Sequence, residues 1–213
     1  MGPREREIVT RSTQPTFDRA YFDTWYRNPH HRVHDGGVVR RHAALAVAVA
    51  EFLLEHPIRG VLDIGCGEGA WRRGIRALRP RARYLGLDPS GYAAGRFGAR
   101  RNIRHGTFGD IGSLPDLERF DLVICVDVLH YVAADEVERG ARALGRRFHG
   151  VALLHAFTRD DDVEGDPAGY MNRSGHFYRR VFRAAHLLEV GLGFWVGRAF
   201  PGQLASLEGL RGR

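Results

Sequence analysis

The stretch Val61-Leu62-Asp63-Ile64-Gly65-Cys66-Gly67-Glu68-Gly69 decides how this chain is read. Four residues suited to a buried strand run into three glycines at alternate positions, and a helical pattern follows at once. A strand that stops on glycines lets a ligand approach the backbone where a side chain would block it. The helix behind it opens with unpaired N–H groups, a natural site for a polar or anionic group. The pattern describes a cofactor cradle at the edge of an open α/β sheet.

Outward from that turn, strands and helices alternate. Upstream, residues 38–56 read as a helix with Leu45, Val49, Phe52 and Leu53 on one face, closed by Pro57. Further upstream Phe17, Tyr21, Phe22, Trp25 and Tyr26 share a helical face that ends at Pro29. Downstream, a helix at about 69–79 carries Trp71, Ile75 and Leu78. The next strand runs from Arg83 to Asp88 and stops at Pro89, with Ser90 set to cap the following helix. A short strand at 102–105 leads to Phe108-Gly109-Asp110-Ile111. Residues 120–126 are apolar nearly throughout, as a strand covered on both faces must be. A helix capped by Asp135, a strand at 151–154 and a helix at about 174–186 follow, and 187–200 reads as one or two closing strands forming an antiparallel pair. This order is that of an α/β domain with a mostly parallel sheet. A length of 213 residues suits one domain spanning 1–213.

Composition narrows the chemistry. The net charge is +7, and all 32 basic residues are Arg. Without Lys there is no P-loop lysine, no Schiff base and no Tyr-x-x-x-Lys dyad. The arginines are scattered, with short clusters at Arg72-Arg73 and Arg100-Arg101, and read as solvated helix faces more than as a surface for nucleic acid. Cys66 and Cys125 form neither a disulfide framework nor a metal spacing, so the expected setting is the reducing cytoplasm. No apolar run reaches membrane-spanning length, and residues 1–16 are polar with no signal-peptide core. The expected assembly is a monomer or homodimer, with no membrane partner.

In an open α/β sheet, ligands bind beyond the C-terminal ends of the strands. Those ends carry Asp63, Asp88, Asp110 and Asp127, together with His130, Tyr131 and His155. Each acid alone could serve a cap or a turn; the set points to a site. Two cofactor classes compete for it. Gly65-x-Gly67-x-x-Ala70 followed by Asp88 satisfies the loose dinucleotide fingerprint. Asp63, two residues before the first glycine, favours a cationic ligand instead, because that position is normally apolar in a dehydrogenase.

With Asp63-x-Gly65-x-Gly67-x-Gly69 in place, the chain resembles the class I S-adenosylmethionine-dependent methyltransferases of small-molecule type, from about Tyr21 to about Val196. The resemblance implies a Rossmann-like three-layer sandwich with a seven-stranded, mostly parallel sheet and an antiparallel C-terminal strand. It also implies S-adenosylmethionine as cofactor and a lid over the site, here at about 17–37. By the same resemblance Gly65, Cys66, Gly67 and Gly69 pass the methionine part by backbone contact and Asp63 faces its ammonium. Asp88, beside Pro89, holds the ribose hydroxyls, Asp110 and Ile111 hold adenine, and Val126 and Asp127 border the sulfonium. Removing the Asp88 carboxylate is then expected to weaken the cofactor and leave the fold intact.

Where an acceptor must lose a proton, His130 and His155 are the candidate bases. Tyr26, Tyr131 and Tyr170 are candidates for the acceptor pocket. The connection 156–175 carries Asp160, Asp161, Asp162, Glu164 and Asp166, a solvated loop by default, with a cationic acceptor or a divalent ion as alternatives. His30, His31 and His34 read as a polar loop, and no metal site is expected. The reading is methyl transfer to a small-molecule O or N acceptor. Its alternatives are an RNA or protein substrate, a non-catalytic cofactor-binding or partner-binding subunit, and an oxidoreductase that binds NAD.

Overall fold

The computed structural model describes residues 17–28, 30, 36–162, 166, 168–198 and 200. Among the described residues seven strands form one sheet: β1 Gly60–Ile64, β2 Arg83–Asp88, β3 Ile103–His105, β4 Leu122–Val126, β5 Val151–His155, β6 Leu188–Gly191 and β7 Phe194–Val196. Their order across the sheet is β3-β2-β1-β4-β5-β7-β6. The β1, β2, β3, β4 and β5 strands pair in parallel, and β7 runs antiparallel to both β5 and β6. The expected closing pair is present, with the last strand inserted between β5 and β6.

Strand alternation sorts the core into two faces. In β4, Leu122 and Ile124 point to one side while Val123 and Cys125 point to the other. In β5, Val151 and Leu153 part from Ala152 and Leu154 in the same way. Both faces are dry, so both sets are apolar. The helices α2 (Gly36–Leu54) and α3 (Ala70–Leu78) cover the first face. The helices α5 (Ala134–Arg147) and α6 (Gly175–Ala184) cover the second. A further helix, α4 (Gly91–Arg101), links β2 to β3 and is capped by Ser90 as expected, its hydroxyl accepting from the Ala93 N–H at 3.0 Å.

Two local expectations are corrected. The face that α2 buries is Val39, Ala43, Ala46, Val47, Ala50 and Leu53, while Leu45 is exposed and Phe52 is 80% exposed. Small residues win there because α2 lies close on α3. A Cβ placed on Gly74 of α3 would come within 2.8 Å of the Ala43 methyl. At α5, the N-cap is Ala133 without a side-chain bond, and Asp135 lies in the first turn, paired to Arg139. No helix among the described residues is long and apolar enough to cross a membrane.

Candidate functional site

The glycine turn follows β1 directly. Gly65 and Gly67 sit at φ +67° and +53°, in the left-handed region that an L side chain avoids. A Cβ on Gly65 would collide with Val128, and one on Gly67 would lie 2.5 Å from the Tyr26 hydroxyl. The N–H groups of Gly65 and Cys66 both donate to the Leu87 carbonyl, at 2.7 and 3.1 Å. Asp88 ties the turn to the next strand end. Its Oδ2 accepts from the Gly67 N–H at 2.6 Å and its Oδ1 from the Ser90 N–H at 2.9 Å. Burial pushes this carboxyl above its ordinary range, against those two N–H groups.

Asp88 opens onto a cavity of about 120 Å³. Gly65 and Pro89 share its wall, Thr107 and Phe108 form another side, and Asp127 and Tyr131 reach it from the end of β4. Its roof is aromatic: Phe17, Tyr21, Phe22 and Tyr26. Phe17 lies just before α1 (Arg19–Phe22), and the others stand on α1 and on the wider turn Asp23–Arg27 that continues it. Asp18 caps α1 by accepting from the Tyr21 N–H at 3.0 Å. The segment is fastened at both ends, where the Ser90 hydroxyl donates to the Phe17 carbonyl and Arg27 pairs with Glu68 of the glycine turn. The expected lid residues 29 and 31–35, His31 and His34 among them, lie outside the described residues.

Other expected site residues stand elsewhere. Asp63 is buried below the turn, accepts from the Tyr84 hydroxyl at 2.5 Å, and does not line the cavity. Burial pushes its carboxyl up to about 7, partly opposed by that hydroxyl. Cys66 is buried beside it, and burial raises its thiol well above the ordinary range. Gly67 is covered by Tyr26, and Val126 packs toward the α2 face of the sheet.

Asp110 and Ile111 do not line the cavity. Asp110 folds back so that its Oδ2 accepts from the Thr107 N–H and hydroxyl, at 2.8 and 3.0 Å. Ile111 has no exposed surface and belongs to the core. Thr107 and Phe108 face the cavity in their place. Val128, within the end of β4 expected to border the sulfonium, lines it too, and sequence reasoning missed Glu136. Glu136 reaches the cavity because Gly140, one turn later, lets α5 press on the Phe108 ring, where a Cβ would collide. A glycine at that helix position was the available signal, but it does not name its partner.

The two histidines separate. His155 Nδ1 lies 2.8 Å from Asp127 Oδ1, and this bond raises the imidazole above its ordinary value. Asp127 holds its position at φ +59°, uncommon for a residue with a side chain. His130 is 1% exposed, enclosed by Tyr131, Phe157 and Tyr170, and its Nδ1 accepts from the Phe157 N–H at 3.3 Å. Burial lowers it to about 4, so it is neutral and packs the loop after β5. It does not line the cavity. Tyr131 donates to the Asp166 carbonyl at 2.7 Å, and burial pushes its hydroxyl up to about 12. The Tyr170 hydroxyl is buried with no hydrogen-bond partner among the described residues.

In the acidic loop, Asp161 accepts from the Thr158 N–H and hydroxyl, at 2.8 and 2.9 Å, while Asp160 and Asp162 are exposed and Glu164 lies outside the described residues. Among the described residues no three His, Cys, Asp or Glu side chains converge as metal ligands.

Residues 62–149, the segment that supplies the glycine turn, Asp88 and Asp127, match the methyltransferase-domain family. That segment is similar to a methyltransferase domain. S-adenosylmethionine is the cofactor that goes with it. Over 86 residues the domain is 30% identical to the methyltransferase ungE' of Aspergillus campestris (strain IBT 28561), a match that covers 36% of this chain and 25% of that protein. The chain thus spans about a quarter of the curated relative it matches. DesVI of Streptomyces venezuelae has the same fold with a TM-score of 0.59 and 14% identity, over 75% of this chain and 92% of that one. The plantazolicin methyltransferase BpumL, solved with a monoazolic desmethylPZN analog and SAH, aligns at 0.56 and 13% identity, over 75% and 70%. A SAM-dependent methyltransferase of Archaeoglobus fulgidus aligns at 0.53 and 13%, over 74% and 71%. At these identities the structural likeness speaks for the fold of the methyltransferase domain.

Proposed function

We propose that the chain transfers a methyl group from S-adenosylmethionine to an O–H or N–H group of a small molecule. The observation that carries this reading is the shared cavity: Gly65 of the glycine turn, the Asp88 carboxylate and Asp127 face one space at the C-terminal edge of the sheet. These residues fit the cofactor. Gly65 offers backbone where a side chain is excluded, and each oxygen of Asp88 has a lone pair left for a ribose hydroxyl after its N–H bond. Bound there, the cofactor supplies a methyl group already activated on sulfonium.

The chain's own part is to position, to exclude water and to move a proton. The cavity of about 120 Å³ is smaller than the roughly 300–1,000 Å³ of ordinary ligand pockets. The aromatic roof at 17–28 therefore lifts to admit a ligand and closes over it as a lid, which keeps water from the reacting atoms. Asp127 fixes the tautomer of His155 through Nδ1 and leaves Nε2 to take a proton from the acceptor. Tyr131 lines the cavity, Tyr170 packs on His130 beside it with a hydroxyl that has no partner among the described residues, and both serve the acceptor pocket.

Calorimetric titration with S-adenosylmethionine, S-adenosylhomocysteine and NAD tests the reading. Micromolar binding of the two sulfur ligands without NAD is the expected result. Binding of NAD alone, or of none of the three, would overturn it.

A further inference from the structure

All 32 basic residues are arginine, and such a bias by itself scatters guanidinium groups over solvated surface. Two arginine-lined grooves behave differently. On α5, Arg139, Arg142, Arg146 and Arg147 line a groove of about 240 Å³, and three of these four pair with carboxylates: Arg139 with Asp135, Arg142 with Glu138 and Arg147 with Glu118. A second groove of about 590 Å³, between α2 and α3, is lined by Arg40, Arg72, Arg73, Arg76 and Arg101. None of these five forms an ion pair among the described residues, and Glu68, the acid on that lining, already holds Arg27.

Two helix ends add positive potential to the same space. The uncapped N-terminus of α3 opens into it at Gly69 and Ala70. Gly36, the first residue of the 19-residue α2, forms another wall, and a Cβ there would lie 3.2 Å from Arg73 Nη2. A guanidinium against a helix N-terminus opposes the dipole, and five guanidiniums around one concavity repel each other. An anion reverses the sign of each of these interactions. Two of the arginines are already oriented. Arg101 stacks on Phe97 at 4.1 Å and donates to the Glu68 carbonyl, and Arg76 donates to the Pro80 carbonyl at 3.1 Å. Arg40, Arg72 and Arg73 make no side-chain hydrogen bond among the described residues and keep their donors for a ligand.

Guanidinium forks match phosphate oxygens in pairs, and helix N-termini favour the same group. Several forks in one concavity call for more than one phosphate. We propose that this groove binds the diphosphate group of a small molecule, at a site separate from the Asp88 cavity and sharing only the Tyr26 wall with it. A nucleic-acid backbone would need a cationic track that continues past the groove, whereas these arginines face one concavity closed by Tyr26 and Val39. The inference does not depend on methyl transfer.

Calorimetry with inorganic pyrophosphate tests it directly. We expect one saturable site per chain, weakened about tenfold or more in Arg40→Gln/Arg73→Gln and unchanged in Arg146→Gln/Arg180→Gln, which removes equal charge elsewhere. Circular dichroism melts check that both variants fold, as substitutions of exposed side chains should allow. ADP that competes with pyrophosphate and shows the same loss would support the site and extend it to nucleoside diphosphates. Absence of saturable pyrophosphate binding, equal weakening in both double variants, or tighter binding of single-stranded RNA that displaces pyrophosphate would overturn it.

Discussion

Asp88 is asked to do two things at once, and one substitution separates them. Its carboxylate accepts from the Gly67 and Ser90 N–H groups at 2.6 and 2.9 Å, and the side chain is 5% exposed. Hydrogen bonds to a charged acceptor are worth about 1.5–3 kcal/mol each, and a buried N–H left unpaired costs about 1–3 kcal/mol. Asp88→Ala strands both N–H groups, roughly 2–6 kcal/mol against a typical domain stability of about 5–15 kcal/mol. The variant is therefore expected to be substantially destabilised as well as weakened in cofactor binding. Asp88→Asn is the cleaner perturbation. It keeps one acceptor oxygen and turns an amide N–H toward the other backbone donor, so the expected destabilisation is about 1–3 kcal/mol. The same change removes charge and one acceptor from a ribose. A loss of about 1.5–3 kcal/mol corresponds to S-adenosylhomocysteine binding roughly 10- to 150-fold weaker. Urea titration reads the first effect, and calorimetry on the folded variant reads the second. An unchanged urea midpoint would refute the tie between the strand ends, and an unchanged dissociation constant would refute the ribose role.

Further outcomes follow from Asp63 and Gly65. The Asp63 carboxyl is raised to about 7 in the folded state, so between about pH 4 and 7 the folded chain keeps a proton that the unfolded chain has lost. The stability it contributes is full below about pH 4 and is lost as pH rises through about 7, by roughly 1.4 kcal/mol per unit. Asp63→Asn should flatten that part of the profile in denaturant titrations at pH 5, 6, 7 and 8, and a slope equal to the parent's would refute the buried-carboxyl account. Gly65→Ala should destabilise by about 1–3 kcal/mol through its φ of +67° and its collision with Val128. Adding Val128→Ala should recover the collision but not the backbone strain, and a strictly additive double-mutant cycle would contradict the contact.

What could be read from sequence alone was short-range. The spans of β1 and β2, the glycine turn between β1 and α3 and the acids at the strand ends follow from local alternation and from turn chemistry. These patterns repeat within a few residues, and neighbouring atoms impose them whatever the rest of the chain does. The first helix face was misread for the same reason. Two apolar stripes run along α2, and only the approach of α3 at Gly74 selects the alanine one.

The site's pairings belong to tertiary structure. Asp127 meets His155 across 28 residues, Asp88 meets Gly67 across 21, and Thr107 meets Glu136 across 29. His155 became a partner of Asp127 and His130 a packed neutral ring because of what surrounds them, since their residue type is the same. The arginines divide likewise into those of α5 that find carboxylates and those left facing one another beside α3. Sequence by itself determined which elements form and which chemistry stands at their ends. Only packing decided which of those groups meet, because side-chain hydrogen bonds act over about 3 Å and depend on how separate elements dock.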